Sequence, residues 1–533
     1  MALIDALQDA SLYPHPVTGF TLLETHISWV LLTGPYAYKL KKPVNLGFLD
    51  FSELAQRRHF CDEELRLNRR LAPRLYLEVV AIGGTPEAPR LGAAGTDSGE
   101  AAIEYAVKMR QFEPEDQLDR LLARGELEAG YIDRLAQVVA GFHGRIAAAE
   151  PEQAFGTPEA VHAPVRENFE QLRRADACLG EAGELTGLDA LERWSEASFE
   201  RLRALFAARK AEGFVRECHG DMHLRNMVLI DGEVVIFDCI EFNENLRWVD
   251  LMSEIAFVDM DLRDRGRPDF AQRFVNAYLE RTGDYAGLAL LPYYRAYRAL
   301  VRAKVAAIRL TQHDLAADET QAVHAECRGY IELAQSFTAE HRPLLIITHG
   351  LSGSGKTTYS QRLLEATRAI RVRSDIERKR LFAVAAADHA SQTVGAGLYS
   401  REAGEQTYAR LGALASDLLA HGFDVIVDAA FLERERRERF HALAREAGAG
   451  FAILACEAPA SLLRERLAQR QASGRDASDA GLAVLEHQLQ TAEPLTADER
   501  GAALTLGPAH DGAVDDIIAA LQARREPAPA PGG

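Results

Sequence analysis

The stretch PLLIITHGLSGSGKTT, residues 343–358, decides the fold of the second half of the chain. It begins with an apolar run, residues 344–347, that is typical of a buried strand. Residues 350–357 then fit the pattern G-x-x-x-x-G-K-[ST] at every fixed position, and residues 358–365 are expected to form a helix. Glycines let the N–H groups of such a loop point at a phosphate, and the helix start adds its positive dipole end. This order of strand, loop and helix predicts a nucleoside triphosphate site.

Side-chain chemistry assigns roles within this loop. Lys356 is expected to reach the β- and γ-phosphates as a catalytic residue, and the Thr357 hydroxyl is expected to bind Mg²⁺. ATP and Mg²⁺ are therefore the predicted cofactors. The predicted ATP-binding residues of this half are Gly350, Ser352, Gly353, Ser354, Gly355, Lys356, Thr357 and Thr358.

Length and composition exclude some classes of protein. A chain of 533 residues is too long for one hydrophobic core, so more than one domain is expected. Its net charge of −18 argues against a general nucleic-acid binder, because a phosphate backbone would be repelled. The six cysteines lack C-x-x-C spacing and fit reduced thiols. No signal peptide and no run of about 18 apolar residues is present, so a cytoplasmic protein without a membrane partner is expected.

The first hundred residues show mainly strand patterns. Residues 26–33 and 36–41 alternate as two strands, and Gly34 and Pro35 between them predict a hairpin turn. A helix is expected from Ser52, which is its candidate cap, and further strands are expected at residues 76–82 and 102–110. Mainly helical sequence follows. Strands with one helix, then a helical region, resemble the layout of a two-lobed kinase, which at this point is an analogy of fold only.

A second motif lies at residues 219–226, HGDMHLRN. Asp221 and Asn226 are five residues apart, as the Asp and Asn are in the kinase loop H-R-D-x-x-x-x-N. A hairpin is predicted at residues 228–237, and Asp238 stands at its end. Phosphoryl transfer to a hydroxyl needs one carboxylate to take the proton and a few oxygen ligands for Mg²⁺. An Asx-capped turn and a solvated strand end are the alternative interpretations of these residues.

These residues resemble the aminoglycoside phosphotransferase/choline kinase family, whose loop reads H-G-D-x-x-x-x-N before an I-D strand end. The resemblance covers roughly residues 20–330. It implies Asp221 as the catalytic base and Asn226 and Asp238 as Mg²⁺ ligands. His223 and Arg225 are expected at most to orient the loop.

A lysine of the first lobe should pair with the phosphates and be held by a glutamate on a helix. Lys39 and Lys41 share one strand face, and Lys39 is preferred. Glu64 is its predicted partner, because Glu63 would face about 100° away on the helix. No G-x-G-x-x-G precedes this lysine and Gly34 is alone. The phosphate-covering loop is therefore unusual, or the site binds nucleotide weakly.

After residue 343, strands and helices alternate, which predicts a parallel α/β sheet. Asp375 and Asp428 are expected at the carboxyl ends of two strands, where such sheets bind ligands. Asp428 fits a Walker-B-like role in ordering Mg²⁺. Asp375 with Arg378 resembles the polynucleotide kinase branch of P-loop kinases, in which a D-x-x-R supplies a base for the acceptor hydroxyl and an arginine for a phosphate.

Four arginines fall where such kinases carry a basic lid: Arg464, Arg466, Arg470 and Arg475. Arg466 and Arg470 are predicted to contact substrate or phosphate, because planar guanidinium groups suit phosphate oxygens. A solvated amphipathic helix is the alternative.

In the first half, Asp250 is expected either to buttress the loop at residues 219–226 or to cap a helix.

The full chain resembles bacterial two-domain aminoglycoside phosphotransferase/ATP-binding proteins. The predicted architecture is an N-terminal α+β, two-lobed protein-kinase-like domain (1–340) and a C-terminal α/β P-loop NTPase domain with a parallel sheet (341–525). A disordered tail is expected at 526–533. The predicted function is a bifunctional phosphotransferase that moves the γ-phosphate of Mg-ATP to small-molecule hydroxyl groups. A regulatory protein with a catalytically dead lobe and a 5′-hydroxyl polynucleotide kinase are the alternatives.

Overall fold

The computed structural model describes residues 2–45, 47, 49–92, 101–179, 185–310, 316–382, 400–473, 481–507 and 514–523. For 176–179, 317, 470–473, 514–515 and 522–523 only the backbone is described. The expected tail at 526–533 lies outside these ranges. Contacts divide the chain into two units, Met1–Asp261 with Tyr297–Ile331 and Leu262–Ala296 with Glu332–Gly533.

The first unit begins with a six-stranded sheet in which successive neighbours are antiparallel, in the order β1-β2-β3-β6-β4-β5. Its elements are α1 (Ala2–Ala6), β1 (Thr21–Glu24), β2 (Ser28–Leu32), β3 (Tyr36–Lys41), α2 (Leu54–Asn68), β4 (Tyr76–Thr85), β5 (Ala88–Leu91) and β6 (Glu104–Arg110). Apolar side chains of β2, β3 and β6 form its core with those of α1. The predicted hairpin is present, with Gly34 at a φ of +94° in its turn. Ser52 is not the cap of α2 as expected, because the helix begins at Leu54 and its N-cap residue is Glu53.

The rest of the first unit is mainly helical, and two short strand pairs carry the second motif. The elements up to residue 264 are α3 (Leu118–Ala123), α4 (Ala129–His143), α5 (Pro158–Leu179), α6 (Leu188–Ala211), β7 (Val215–Glu217), β8 (Met227–Ile230), β9 (Glu233–Ile236), α7 (Glu244–Arg247), β10 (Trp248–Asp250) and α8 (Leu251–Asp264). Strands β8 and β9 form the predicted hairpin, and β10 pairs antiparallel with β7.

The second unit is built on a parallel sheet in the order β12-β13-β11-β14-β15. Two further helices, α10 (Leu291–Leu310) and α11 (Ala317–Ser336), lie mainly in the first unit. The elements of the second unit are α9 (Pro268–Thr282), β11 (Leu344–His349), α12 (Lys356–Ala366), β12 (Ile370–Arg373), α13 (Ser374–Leu381), α14 (Arg401–Ala420), β13 (Val425–Asp428), α15 (Arg434–Glu446), β14 (Gly450–Cys456), α16 (Ala460–Ser473), α17 (Leu482–Thr491), α18 (Ala497–Ala502), β15 (Ala503–Leu506) and α19 (Val514–Ala523). Its core packs β11 and β14 against α12 and α19.

Helix α9 belongs to the second unit, although its sequence was expected to continue the first lobe. Gln272 donates to the carbonyl oxygen of Ala369 at 2.6 Å, and Asn276 accepts the N–H of Arg371 at 2.7 Å. Strand β12 is an edge strand, so its outer N–H and C=O groups need partners from outside the sheet. Polar side chains of α9 supply them. The predicted domain boundary near residue 340 stays a prediction. The two contact-defined units do not follow it, because residues 262–296 belong to the second unit.

The helices and the cysteines of the described residues bear on the expectations about membranes and disulfides. Within the described ranges, no helix combines the length and apolar character that crossing a bilayer requires. Among the described cysteines, Cys61, Cys218, Cys239 and Cys456 are buried and form no disulfide.

Candidate functional sites

Lys39 on β3 faces two carboxylates. Its Nζ lies 2.8 Å from Oε1 of Glu64, on α2, and 2.6 Å from Oδ1 of Asp238, which follows β9. The expected pairing with Glu64 is therefore present, and Asp238 joins it from 199 residues further along the chain. Burial alone would lower the pKa of Lys39, but the neighbouring carboxylates, Asp238 first, raise it well above its usual value. The Lys39 ammonium group is therefore charged at neutral pH.

Lys41 makes a second, fully buried ion pair beside the first. Its side chain is 1% exposed, and its Nζ lies 2.8 Å from Oε2 of Glu64. It also donates to Glu241, which sequence reasoning did not single out. Glu64 thus receives one lysine on each oxygen. The available signal for Glu241 was an acidic residue between two apolar neighbours, Ile240 and Phe242.

The loop at residues 219–226 brings the two predicted polar groups into contact. The Nδ2 of Asn226 donates to Oδ2 of Asp221 at 3.1 Å and to its carbonyl oxygen at 3.0 Å. His223 adds its Nε2 at 3.3 Å from the same carboxylate oxygen. Burial alone would raise the pKa of Asp221, but His223, followed by His219, lowers it below its usual range. Asp221 is therefore ionised at neutral pH and able to accept a proton.

Glu254 of α8 holds this loop from beneath. Its Oε1 accepts the N–H groups of His219 and Gly220 at 2.8 and 2.7 Å, and its Oε2 lies 2.9 Å from Nε2 of His143. Gly220 has a φ of +89°, and a Cβ there would lie 2.7 Å from the carbonyl oxygen of Leu246. The glycine of H-G-D is thus required by close backbone approach. Sequence reasoning missed Glu254, because nothing local links it to the loop.

Two other residues of this region have contacts of their own. Asp250 accepts the N–H of Met252 at 2.8 Å and forms a buried ion pair with Arg209, at 2.7 and 2.9 Å. This matches the helix-cap alternative. Arg225 is more than half exposed, and its Nε lies 3.7 Å from Oδ2 of Asp119.

The first unit contains a pocket of about 640 Å³ that is lined by several of the charged residues described above. Its polar lining includes Lys39, Asp221, Asp238 and Glu241. Its apolar lining includes Val30, Leu32, Ala37, Met109, Phe112 and Phe237. An apolar pocket of this size with a few convergent charged groups is typical of a small-molecule site. The apolar part suits a nucleotide base, and the lysine and carboxylates suit phosphates and their metal ion.

The turn between β1 and β2 contributes to the same pocket. Thr25, Ile27 and Ser28 line it. The Thr25 hydroxyl accepts the N–H of Ser28 at 2.9 Å and lies 2.8 Å from its side-chain oxygen. The turn between β1 and β2 is therefore closed by side chains and contains no glycine. It is the candidate for the phosphate-covering loop of this pocket. The sequence did not predict β1, so this turn was not recognised.

In the second unit, residues 350–357 form a curled loop before α12. Gly350, Gly353 and Gly355 have φ values of +149°, +82° and +97°. A Cβ on Gly350 would lie 2.4 Å from the carbonyl oxygen of Cys456. Among the described residues, the buried Oγ of Ser354 has no hydrogen-bond partner. A glycine-rich curl with an unused hydroxyl at a helix start fits an anion such as a phosphate.

Lys356 and Asp428 frame this loop. The Nζ of Lys356 donates to the carbonyl oxygens of Gly350 and Leu351 at 3.0 and 2.9 Å. Asp428 ends β13, and its Oδ2 accepts a hydrogen bond from the Ser360 hydroxyl of α12 at 3.2 Å. The loop after β11 and the Asp428 carboxylate thus meet at the carboxyl edge of the sheet, as predicted.

Asp375 lies at this edge as well. The parallel register pairs Arg373 of β12 with Asp428 of β13, and Asp375 follows two residues later in the first turn of α13. Arg378 lies one turn further, and its Nε is 3.4 Å from the Thr407 hydroxyl of α14.

The predicted lid arginines have different surroundings. Nη1 of Arg466 donates to the carbonyl oxygen of Gly353 at 3.2 Å, so this arginine reaches the phosphate loop. Arg464 instead pairs with Glu486 at 2.8 Å, where both side chains are 48% exposed, as the solvated-helix alternative expects. The Arg470 side chain and all of Arg475 lie outside the described residues.

Helix α17 also reaches the loop through a residue that sequence reasoning missed. The N–H of Ser352 donates to Oε1 of Gln488 at 2.8 Å. A glutamine on an amphipathic helix carries no local signal of such a contact.

The uncharacterized protein Rv2004c of Mycobacterium tuberculosis is 30% identical over 504 residues, which cover 91% of this chain and 96% of that protein. The uncharacterized protein Mb2027c of Mycobacterium bovis gives the same values. This chain belongs to their family. Two family models match parts of this chain. The one described as Phosphotransferase enzyme family matches residues 48–291, and the one described as AAA domain matches residues 345–495.

Two solved structures are similar to parts of this chain. The choline/ethanolamine kinase family protein from Mesorhizobium loti is 13% identical, with 63% of this chain and 99% of that chain covered and a TM-score of 0.37. A gluconokinase from Sinorhizobium meliloti is 18% identical, with 35% and 99% covered and a TM-score of 0.25.

The two family matches and the sheet topologies confirm the predicted fold class and the two-domain resemblance. They also support phosphotransferase activity in general. The families to which both halves are matched use ATP, typically with Mg²⁺.

The buried carboxylate shared by the two lysines predicts a stability change with pH. Burial alone would raise the pKa of Glu64, but Lys39 and Lys41 lower it from 4.5 to about 2. Its contribution to folding is therefore present above pH 4.5 and is lost as the pH falls through about 2. Glu64→Gln is expected to lower the free energy of unfolding by about 3–5 kcal/mol near pH 7, because it leaves two buried ammonium groups with one carboxylate fewer.

Urea unfolding of both proteins at several pH values measures this. The difference between wild type and variant should shrink below pH 4.5. Asp62→Asn, on the same helix, is the matched control: it pairs with Arg58 at 3.9 Å, and the two side chains are 58% and 63% exposed, so a loss of only about 0–1 kcal/mol is expected. A Glu64→Gln penalty that stayed constant down to the acid transition would contradict the assignment.

Proposed function

We propose that the chain is a bifunctional ATP-dependent phosphotransferase, with an alcohol group as acceptor at each of two sites. The observation that carries the proposal is the convergence of Lys39, Asp221 and Asp238 on one pocket of the first unit. The glycine-rich curl at residues 350–357 of the second unit supports the other site. Bound Mg-ATP supplies the γ-phosphate, and its metal ion offsets charge on the phosphate oxygens.

In the first pocket the residues have separable roles. Asp221 orients the acceptor hydroxyl and takes its proton, since its lowered pKa keeps it ionised. Lys39, held by Glu64, binds phosphate oxygens. Asn226 and Asp238 supply oxygen ligands to the metal ion. The apolar walls take the base, which leaves the pocket mouth for the acceptor.

In the second site, the backbone N–H groups of residues 353–357 and the Lys356 ammonium group bind the phosphates. Thr357 and Asp428 supply the metal ligands. Asp375, at the same sheet edge, accepts the proton of the second acceptor, with Arg378 and Arg466 on the phosphate side. The net charge of −18 favours neutral or cationic small molecules over nucleic acid as acceptors.

The test is a screen of hydroxyl compounds for acceptor-dependent ADP release by the full chain. Asp221→Ala and Lys356→Ala are run beside wild type, and 5′-hydroxyl oligonucleotides are included among the compounds. Each productive acceptor should be lost in one of the two variants and kept in the other. Full activity of both variants on every acceptor that wild type uses would overturn the proposal.

A regulatory protein would give a different pattern. Titration calorimetry of Lys356→Ala then reports Mg-ATP binding at the first pocket alone. Tight Mg-ATP binding there argues against a catalytically dead first lobe, whereas no binding there would favour the regulatory alternative. Phosphorylated oligonucleotides in the screen would favour a polynucleotide kinase.

A further inference from the structure

Helix α9 carries one carboxylate to the edge strand of the second unit's sheet. Oε1 of Glu280 lies 2.7 Å from Nη2 of Arg371, and its Oε2 lies 3.3 Å from Nη1 of Arg373. Burial alone would raise the pKa of Glu280, but the two arginines lower it. The side chain is only 14% exposed, so this is a charged group placed at considerable desolvation cost.

Arg371 continues from Glu280 to the phosphate loop. Its Nη1 lies 3.3 Å both from the carbonyl oxygen of Thr357 and from the hydroxyl of Ser360. Ser360 donates in turn to Oδ2 of Asp428 at 3.2 Å. Thr357 and Asp428 are the two residues proposed to hold the metal ion, so each lies within two contacts of Arg371.

Arg373 lies between two carboxylates. Its Nη1 contacts Glu280, while its Nε is 4.0 Å from Oδ2 of Asp428. A guanidinium group that closed onto Asp428 would compete with a cation for the same oxygens, since both need the carboxylate charge. Glu280, which contacts Arg373 on the other side, therefore affects how available the Asp428 carboxylate is to a cation.

We propose that Glu280 is a positioning residue for the metal-binding edge of the second site. It engages Arg371 and Arg373, so that the Asp428 carboxylate stays available to Mg²⁺. This rests on the proposed nucleotide site at residues 350–357. Glu280 lies within the phosphotransferase match and outside the AAA-domain match, so sequence that precedes the P-loop segment completes its site.

The experiment measures ATP binding to the full chain by titration calorimetry, with and without Mg²⁺, for wild type and Glu280→Gln. Lys356→Ala is the reference that lacks binding at the second site. The Mg²⁺-dependent part of the affinity is expected to fall about 10-fold or more in Glu280→Gln, while metal-free binding stays unchanged. Gln272→Ala is the matched control: it removes a bond from α9 to Ala369 without touching either arginine.

A double variant separates positioning from mere stability. In Glu280→Gln with Arg373→Met, the competing guanidinium group is gone, so most of the Mg²⁺ dependence should return even though one more ion pair is lost. If Glu280→Gln does not fold, Arg373→Met alone decides, because it should need no more Mg²⁺ than wild type.

Three results would overturn the inference. The first is wild-type Mg²⁺ dependence in Glu280→Gln. The second is no recovery in the double variant, and the third is a raised Mg²⁺ requirement in Arg373→Met. A wild-type protein whose ATP binding equals that of Lys356→Ala would instead overturn the proposed function of the second site itself.

Discussion

Asp221→Asn is expected to slow phosphate transfer at the first pocket about 10²–10⁴-fold, with little change in Mg-ATP binding. Asparagine keeps the shape and can still contact Asn226 and His223, but it cannot accept the proton of the acceptor hydroxyl. Because only the proton-accepting step is affected, kcat should fall while the KM for ATP stays within a few-fold. Steady-state kinetics with an acceptor assigned to this pocket measure both.

The pH profile adds an independent check. The pKa of Asp221 is lowered below its usual range, so the wild-type rate should show no loss from this group as the pH falls from neutral toward 4. Asp231→Asn is the matched control, because Asp231 occupies the exposed turn between β8 and β9, far along the hairpin from the loop. Should Asp221→Asn and Asp231→Asn turn over alike, Asp221 is not the base.

Lys356→Ala is expected to weaken Mg-ATP binding at the second site about 10²–10³-fold. The lysine is the first residue of α12, and its ammonium group lies against the loop carbonyls of Gly350 and Leu351. Its removal takes the side-chain cation from the anion site, while the glycine conformations that shape the loop remain. Binding at the first pocket should be unaffected, so calorimetry should record one site where wild type shows two.

Arg464→Ala is the control for the loss of one positive charge from the second unit. Arg464 makes an exposed ion pair with Glu486, and its loss should alter neither binding nor stability by more than about 1 kcal/mol. Equal ATP binding by Lys356→Ala and wild type would remove residues 350–357 from the nucleotide site.

Much of the fold was predictable because its signals are local. The alternation of residues 26–41, the Asp-Gly turn of the β8–β9 hairpin and the strand–loop–helix order around Lys356 each lie within about twenty residues of sequence. β1 was missed because its side chains are all exposed, so no buried alternation marks it. The expected cap at Ser52 was wrong by one residue, since Ser52 bonds instead to the Asp50 carboxylate.

The candidate sites were predictable only in their motif residues. Lys39, Glu64, Asp221, Asn226 and Asp238 were named from spacing and from the family resemblance. The structure pairs Lys39 with Glu64 and Asp238, and Asn226 with Asp221. Which lysine pairs with which carboxylate was not decidable, because two lysines on one strand face both reach Glu64.

The amino-acid sequence by itself determined the two motifs at residues 219–226 and 350–357, the order of secondary-structure elements around them and the two-part organisation. Each of these depends on residue types at short spacing, which chemistry constrains directly. Only the tertiary structure decided which buried charges hold those motifs in place: Glu241 on Lys41, Glu254 under the loop of Asp221 and Glu280 on the arginines of β12. These partners come from distant segments, and their pairing depends on how helices pack, which no local pattern encodes.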